Sequence, residues 1–179
     1  MLKLVRNQKG FSLIEIVIVM MIIGVLAGVG VPQYTKMKKK AQQSEVKALL
    51  SVMYSAQSTF YGEWTQYYGD FNAVGFQVNG DLSYHFGFQE PGVAGPLAHP
   101  GAQYNGKPPT TKDTNAFCAT SGECNISKTG TLRLVSGTIA NTKTYSFGGA
   151  ADLDADVTLD EWTIDQGKNY TQVSDDISQ

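Results

Sequence analysis

Cysteine and histidine are scarce in this chain, which has two of each among its 179 residues. Cys118 and Cys124 lie close together, but His85 and His99 do not have metal-ligand spacing beside them, so a zinc site is not indicated. The sequence contains no nucleophile motif, no phosphate-binding glycine loop and no metal-ligand cluster. We therefore predict a protein that is not an enzyme and that requires no cofactor.

An excess of basic charge is also missing. Lys and Arg number 14 against 16 for Asp and Glu, which gives a formal net charge of −2 at pH 7. Proteins that neutralise nucleic-acid phosphates carry a strongly basic surface. The net charge thus gives no indication of nucleic-acid binding.

The chain does have a long apolar run near its start. Residues 11–31 read FSLIEIVIVMMIIGVLAGVGV, and a spanning helix needs ~20 apolar residues, so this run can cross a bilayer. Three basic residues among the first nine favour a cytoplasmic N-terminus, whereas the lysine cluster at 36–40 argues the other way. Glu15 is the single charge in the run, and a carboxylate inside a hydrophobic span calls for a functional explanation.

The leader differs from an ordinary secretory signal, whose cleavage site follows the apolar stretch. Here the expected cut lies before the stretch, so the hydrophobic segment stays on the mature protein. The run KGFSLIE at 9–15 resembles the processing motif of the type IV prepilins, although that family usually has Thr where Ser12 stands. The resemblance is close over roughly residues 5–60 and looser beyond them.

The resemblance implies a fold, a processing step and an assembly mechanism. The expected fold is α+β, with a long N-terminal helix packed on a four-stranded antiparallel sheet. A membrane peptidase would cut after Gly10 and N-methylate Phe11, and Glu15 would be needed for filament assembly. Pairing of Glu15 with the new amino group of Phe11 in a neighbouring subunit would offset the cost of burying the carboxylate. The alternative is a protonated Glu15 without a partner.

We predict four segments along the chain: a cleaved leader (1–10), a membrane-spanning and assembly helix (11–31), an amphipathic helix (32–64) and a β-sheet head (65–179) with a long loop at 90–115. Helix-weakening residues mark the end of the spanning segment, where we expect a bend or a softened stretch. They are Gly24, Gly28, Gly30 and Pro32. The resemblance links such residues to flexing when the filament packs, and a simple kink at the membrane exit is the alternative.

The amphipathic segment carries apolar residues at spacings of three and four, which predicts that one helix face packs against a sheet. They are Val46, Leu49, Leu50, Met53, Ala56, Phe60 and Trp64, and the polar Gln57 falls on the same stripe. The lysine cluster at 36–40 is read as a solvated or headgroup-facing turn, or as a site of charge pairing between subunits.

Alternating patterns in the head predict four short strands, at 82–89, 131–135, 143–148 and 159–165. The residues expected to point inward are Leu82, Tyr84, Phe86, Phe88, Leu132, Leu134, Tyr145, Phe147, Trp162 and Ile164. His85 falls on the polar side of the first strand, so we expect it to be exposed to solvent. Residues 62–80 and 90–115 are predicted loops, and the polar tail from Asn169 is expected on the surface.

Two features of the head have a possible structural role. A secreted context favours a disulfide between Cys118 and Cys124. The acidic loop spaces oxygen ligands as calcium sites do, but it lacks the Gly and the terminal Glu of an EF-hand. Its candidate ligands are Asp152, Asp154, Asp156 and Asp160. A solvated acidic turn is the alternative to a calcium site.

The sequence therefore favours the major structural subunit of a type IV pilus. We expect a prepilin in the lipid bilayer of the inner membrane with its head in the periplasm, and then a homopolymeric pilus on the cell surface for twitching motility and adhesion. Its partners would be a prepilin peptidase and an inner-membrane assembly platform with cytoplasmic ATPases. The alternatives are a pseudopilin of a type II secretion system and, from another class, a membrane-anchored periplasmic enzyme or binding domain.

Overall fold

The computed structural model describes residues 10–90, 92–97, 101, 104–126, 133–153 and 158–176. The chain divides into two compact units, Met1–Lys38 and Lys39–Gln179. Helix α1, Leu13–Trp64, supplies nearly all of the described part of the first unit and opens the second. We call Lys39–Gln179 the head.

The described residues of the head form two further helices and seven strands. Their bounds are α2 Phe71–Val74, β1 Gly80–Leu82, β2 His85–Gly87, α3 Thr114–Ser121, β3 Cys124–Ile126, β4 Ile139–Ala140, β5 Tyr145–Ala151, β6 Asp160–Asp165 and β7 Tyr170–Ser174. Both short helices begin at an aspartate that accepts backbone N–H groups, Asp70 for α2 and Asp113 for α3. Both end at a glycine in the left-handed conformation, Gly75 and Gly122, which only glycine adopts without strain.

Five strands form an antiparallel sheet. β2, β5, β6 and β7 are hydrogen-bonded in that order, and β4 pairs with the first residues of β5, which β2 does not reach. β1 and β3 form a separate parallel pair. The α+β class is therefore confirmed, with a long N-terminal helix and an antiparallel sheet, and the sheet has five strands where the sequence predicted four.

The predicted helix face is the one that packs. The buried residues of α1 recur at spacings of four and three, and they are Val46, Leu50, Met53, Gln57 and Phe60. Val46 reaches β5 at Gly149, where an added Cβ would lie 2.8 Å from the Phe86 ring and 3.0 Å from a Val46 methyl. Glycine at 149 therefore permits the close approach of helix and sheet.

Aromatic rings fill the centre of the core. The ring centroid of Phe147 in β5 lies 5.0–6.3 Å from the ring centroids of four other phenylalanines: Phe71, Phe76, Phe86 and Phe88. Each of these four rings is 0% exposed. The inward positions predicted in 82–89 are therefore confirmed, as are those of Tyr145, Phe147, Trp162 and Ile164. The single strand predicted at 82–89 was wrong, because this segment is divided between β1 and β2, which lie in different sheets.

Some local predictions in the head were wrong or incomplete. Residues 114–121 form helix α3 with a buried Phe117, although they were read partly as loop. The tail from Asn169 is on the surface as expected, but it forms strand β7 on the edge of the sheet. Residues 133–135 form no strand, and the remainder of the predicted strand at 131–135, including Leu132, lies outside the described residues.

His85 is buried, contrary to the prediction that it is solvent-exposed. It is only 7% exposed, and its Nε2 lies 3.7 Å from an Asp113 carboxylate oxygen. Burial alone would raise the pKa of Asp113, but the His85 ring and the Ala116 N–H lower it below its ordinary value. The alternation rule failed because α3 covers the face of β2 that the pattern assigned to solvent.

A buried carboxylate organises the loops beside α2. Asp70 is 0% exposed, and one of its oxygens caps α2 through the N–H groups of Asn72 and Ala73. Its other oxygen accepts the Thr110 N–H, the Thr110 hydroxyl and the Thr111 N–H at 2.8–3.0 Å. The segment at 110–111 is thus tied to α2, which explains why this part of the predicted loop at 90–115 lies partly inside the head.

Candidate assembly site

The helix start places Glu15 in a defined position. α1 begins at Leu13, and the Ser12 carbonyl accepts the N–H groups of Glu15 at 3.1 Å and Ile16 at 3.4 Å. Ser12 is therefore the N-cap residue and Glu15 the third helical residue, which is the spacing of a capping box. A carboxylate there is also stabilised by the positive end of the helix dipole. This Ser-x-x-Glu signal is visible in the sequence, and our sequence analysis did not use it.

The large apolar side chains in the described part of the first unit are exposed. From Phe11 to Met37 they are between 47% and 83% exposed, the extremes being Val19 and Leu13. α1 is long and apolar enough to cross a membrane, and none of its most apolar window is buried. Within the described residues Glu15 forms no ion pair. So much exposed apolar surface requires lipid or another protein chain as its neighbour.

The predicted helix break stays a prediction. α1 is helical throughout Gly24, Gly28, Gly30 and Pro32. Pro32 has no N–H, so the hydrogen bond that a helix would form to the Gly28 carbonyl is missing. The Thr35 hydroxyl donates to the Pro32 carbonyl at 2.9 Å. This stretch therefore keeps its helical form with one backbone hydrogen bond fewer than a regular helix.

The disulfide is present in the head. Cys118 and Cys124 are bonded with a Cα–Cα distance of 5.0 Å, and the bond joins the last turns of α3 to β3. The prediction of a Cys118–Cys124 disulfide agrees with this geometry.

The calcium site stays a prediction, because the structure describes only two of its four candidate ligands. Asp154 and Asp156 lie outside the described residues, and within the described residues no group of metal-ligating side chains is found. Asp160 is 0% exposed, and its oxygens accept from Tyr84, Trp162, Gln43 and Gln172 at 2.5–3.1 Å. These four neutral donors use the hydrogen-bonding capacity of the carboxylate, so Asp160 joins α1, β6 and β7 in a structural role.

The sequence of the N-terminal segment is similar to that of known proteins. A family described as the prokaryotic N-terminal methylation motif matches residues 5–31. The chain is 40% identical over 70 residues to the type IV major pilin protein PilA of Myxococcus xanthus, covering 39% of this chain and 32% of that one. It is 45% identical over 60 residues to a fimbrial protein of Neisseria meningitidis serogroup B, covering 32% and 35%. It is 42% identical over 62 residues to the type IV major pilin protein PilE1 of Neisseria gonorrhoeae, covering 33% and 38%.

The aligned part of the chain spans about a third of the length of these relatives. The resemblance to the type IV prepilins is thereby confirmed: the chain carries the N-terminal methylation motif, and it is similar in sequence to type IV major pilins. The long N-terminal helix and the antiparallel sheet are consistent with the type IV pilin fold.

Proposed function

We propose that this protein is the major structural subunit of a type IV pilus. One observation carries the proposal: the segment that bears the methylation motif leaves its large apolar side chains exposed from Phe11 to Met37. Before assembly the bilayer would cover these side chains, and in the filament the same helices of neighbouring subunits would replace the lipid. Burying apolar surface away from water contributes a free energy of about 25 cal/mol per Å². This contribution makes the packing of these helices favourable outside lipid.

Processing prepares the charge partner of Glu15. A prepilin peptidase would cut after Gly10 and methylate the new amino group of Phe11, which stays positively charged. In the filament that amino group would pair with Glu15 of a neighbouring subunit in an apolar layer, where an unpaired charge is strongly disfavoured. Mismatched axial positions would leave both charges unpaired, so the pairing would set the register.

Extension and retraction of the filament would depend on other proteins. We propose that the head lies in the periplasm while the prepilin is in the inner membrane, and that an assembly platform with cytoplasmic ATPases extends and retracts the filament on the cell surface. Motility and adhesion would follow from that retraction. The pilin and fimbrial relatives support a pilus over a type II secretion pseudopilus or a membrane-anchored periplasmic enzyme.

Three glutamate variants test the assembly step. Gln is accepted in a capping box but carries no charge, so Glu15→Gln keeps the helix start and removes the pairing. We expect Glu15→Gln and Glu15→Ala both to abolish filaments seen by electron microscopy of sheared cells. Glu63 is exposed near the other end of α1, and Glu63→Gln is the matched control that should assemble normally. Normal filaments from Glu15→Gln would show that capping, and not charge pairing, is the role of Glu15.

Mass spectrometry of the sheared filaments tests processing. We expect a mature chain that begins at Phe11 and carries one added methyl group on its amino terminus. Filaments that assemble normally from chains retaining residues 1–10 would contradict the proposal. Deletion of the gene distinguishes a type IV pilus from a type II secretion pseudopilus. Loss of surface filaments indicates a pilus, and retention of exported proteins inside the cell indicates a secretion pseudopilus.

A further inference from the structure

Two tyrosines meet where α1 ends. Tyr61 lies in the last turn of α1, and Tyr67 follows three residues after the helix terminus at Trp64. Their ring centroids are 4.5 Å apart with an interplanar angle of 27°, so the rings are stacked. Between them Thr65 has φ of 55°, a left-handed conformation that a β-branched residue rarely adopts and that turns the chain back on the helix.

The two side chains also interact electrostatically. The pKa of Tyr67 is raised by burial first and then by the neighbouring charges that Tyr61 and Tyr54 acquire when they ionise. Both rings are half-buried, so each keeps a part of its surface open to a small solute. Radical coupling of tyrosines joins the carbons next to the hydroxyl-bearing carbon, and stacking at a centroid distance of 4.5 Å holds the two rings close enough for such a bond.

We propose that Tyr61 and Tyr67 are a preorganised site of oxidative cross-linking, which joins the end of α1 to the following loop as a dityrosine. The oxidant is hydrogen peroxide activated by a peroxidase. Each phenol gives up one electron and one proton, the two phenoxyl radicals form one carbon–carbon bond, and the two ring hydrogens at that bond move to the oxygens to restore the phenols. Two tyrosines and one peroxide thus give one dityrosine and two waters.

Neighbouring tyrosines are less suited to the reaction. Tyr145 has its centroid 4.8 Å from that of Tyr67, but it is 2% exposed and its ring is tilted by 59°. Tyr68 is 0% exposed, and its ring is 6.5 Å from that of Tyr104 in an edge-on arrangement. The Tyr61–Tyr67 pair combines stacking with access, and a bond between these two residues closes only a short loop. The bond would brace the left-handed turn at Thr65.

Digestion with a glutamate-specific protease tests the proposal on the full chain in detergent. Cleavage after glutamate at Glu63 separates Tyr61 from Tyr67, so the fragments 46–63 and 64–90 stay together only if a covalent bond joins them. After treatment with peroxide and peroxidase, we expect a joined fragment whose mass is lower than the sum of its parts by two hydrogen atoms, with dityrosine fluorescence. Fragmentation in the mass spectrometer should locate the bond at Tyr61 and Tyr67.

Phenylalanine variants provide the controls, because they keep the ring and remove the hydroxyl. Tyr61→Phe and Tyr67→Phe should each lose the joined fragment, whereas Tyr54→Phe, in the same peptide as Tyr61, should retain it. Denaturing the protein before oxidation should also remove the preference for this pair. A joined fragment that persists in Tyr67→Phe, or tyrosine oxidation that yields only links between chains, would overturn the proposal.

Discussion

The two parts of helix α1 differ in what surrounds them. Between Leu13 and Lys38 the large apolar side chains are exposed, whereas between Lys39 and Trp64 one face is buried in the head. The first part thus contributes nothing to the core, and the second supplies five of its buried residues. Assembly and folding are therefore assigned to different stretches of one helix, and mutations in the two stretches should have separable effects.

The largest expected effect contrasts Leu50 with Ile18. Leu50 is 0% exposed in the head, and Leu50→Ala should lower the free energy of unfolding by about 2–5 kcal/mol. Ile18 is 52% exposed, and Ile18→Ala should leave that value unchanged while it reduces filament assembly. Both tryptophans lie in the head, so urea unfolding in detergent followed by tryptophan fluorescence measures the head alone. Equal destabilisation by both variants would show that the two stretches do not act independently.

Asp70 should have the next largest effect. Asp70→Ala leaves the donors of α2 and of the 110–111 segment without their acceptor, and we expect a loss of about 3 kcal/mol in the free energy of unfolding. Hydrogen exchange should accelerate at Thr110 and Thr111. Asp70→Asn retains one acceptor oxygen and should fall between the wild type and Asp70→Ala. Unchanged exchange at 110–111 would contradict the proposed tie.

Removal of the disulfide should lower the free energy of unfolding somewhat less than Asp70→Ala does. The double variant Cys118→Ala and Cys124→Ala should lower the free energy of unfolding by about 2 kcal/mol, because the closed loop is short. Reduction of the wild-type protein should have the same effect, which serves as the control for side-chain packing. Titration of native protein should detect no free thiol, and two reactive thiols would contradict the disulfide.

Alkaline pH should weaken the head through Tyr68. Burial, with the nearby charges of Asp70 and Tyr104, raises the pKa of Tyr68 to about 12. The unfolded chain releases this proton near the ordinary value of about 10, so stability should fall as the pH rises from about 10 to about 12. Tyr68→Phe should make this decline shallower in thermal melts. Tyr34→Phe, at a 70% exposed position, should leave the slope unchanged.

The smallest effect is expected at Thr65, which lies in the chain between the two stacked tyrosines. Thr65→Gly removes the strain of a left-handed β-branched residue and adds backbone freedom to the unfolded chain, for a net gain of about 0.5 kcal/mol. Ser58 is exposed inside α1, and Ser58→Gly should destabilise the head by a similar or larger amount. Destabilisation by Thr65→Gly would show that the threonine side chain itself contributes.

The sequence predicted features that depend on local pattern. The apolar run, the processing motif, the packed face of α1 and the inward aromatic residues of β5 and β6 all follow from spacing along the chain. What it did not predict depends on contacts between distant segments. His85 is buried because α3 covers β2, and Asp160 is a hydrogen-bond acceptor for α1 and β7 because the fold brings Gln43 and Gln172 to it. Helix α3 and strand β7 were missed because their segments are polar and short.

Gln57 shows how the helix is fixed to the rest of the head. Its side-chain amide is fully buried, and it donates to the Tyr68 carbonyl at 2.6 Å and accepts the Tyr68 N–H at 3.3 Å. An amide neither titrates nor carries a net charge. This attachment therefore needs no counter-ion and no particular protonation state, so it should hold equally well in acidic or saline solution.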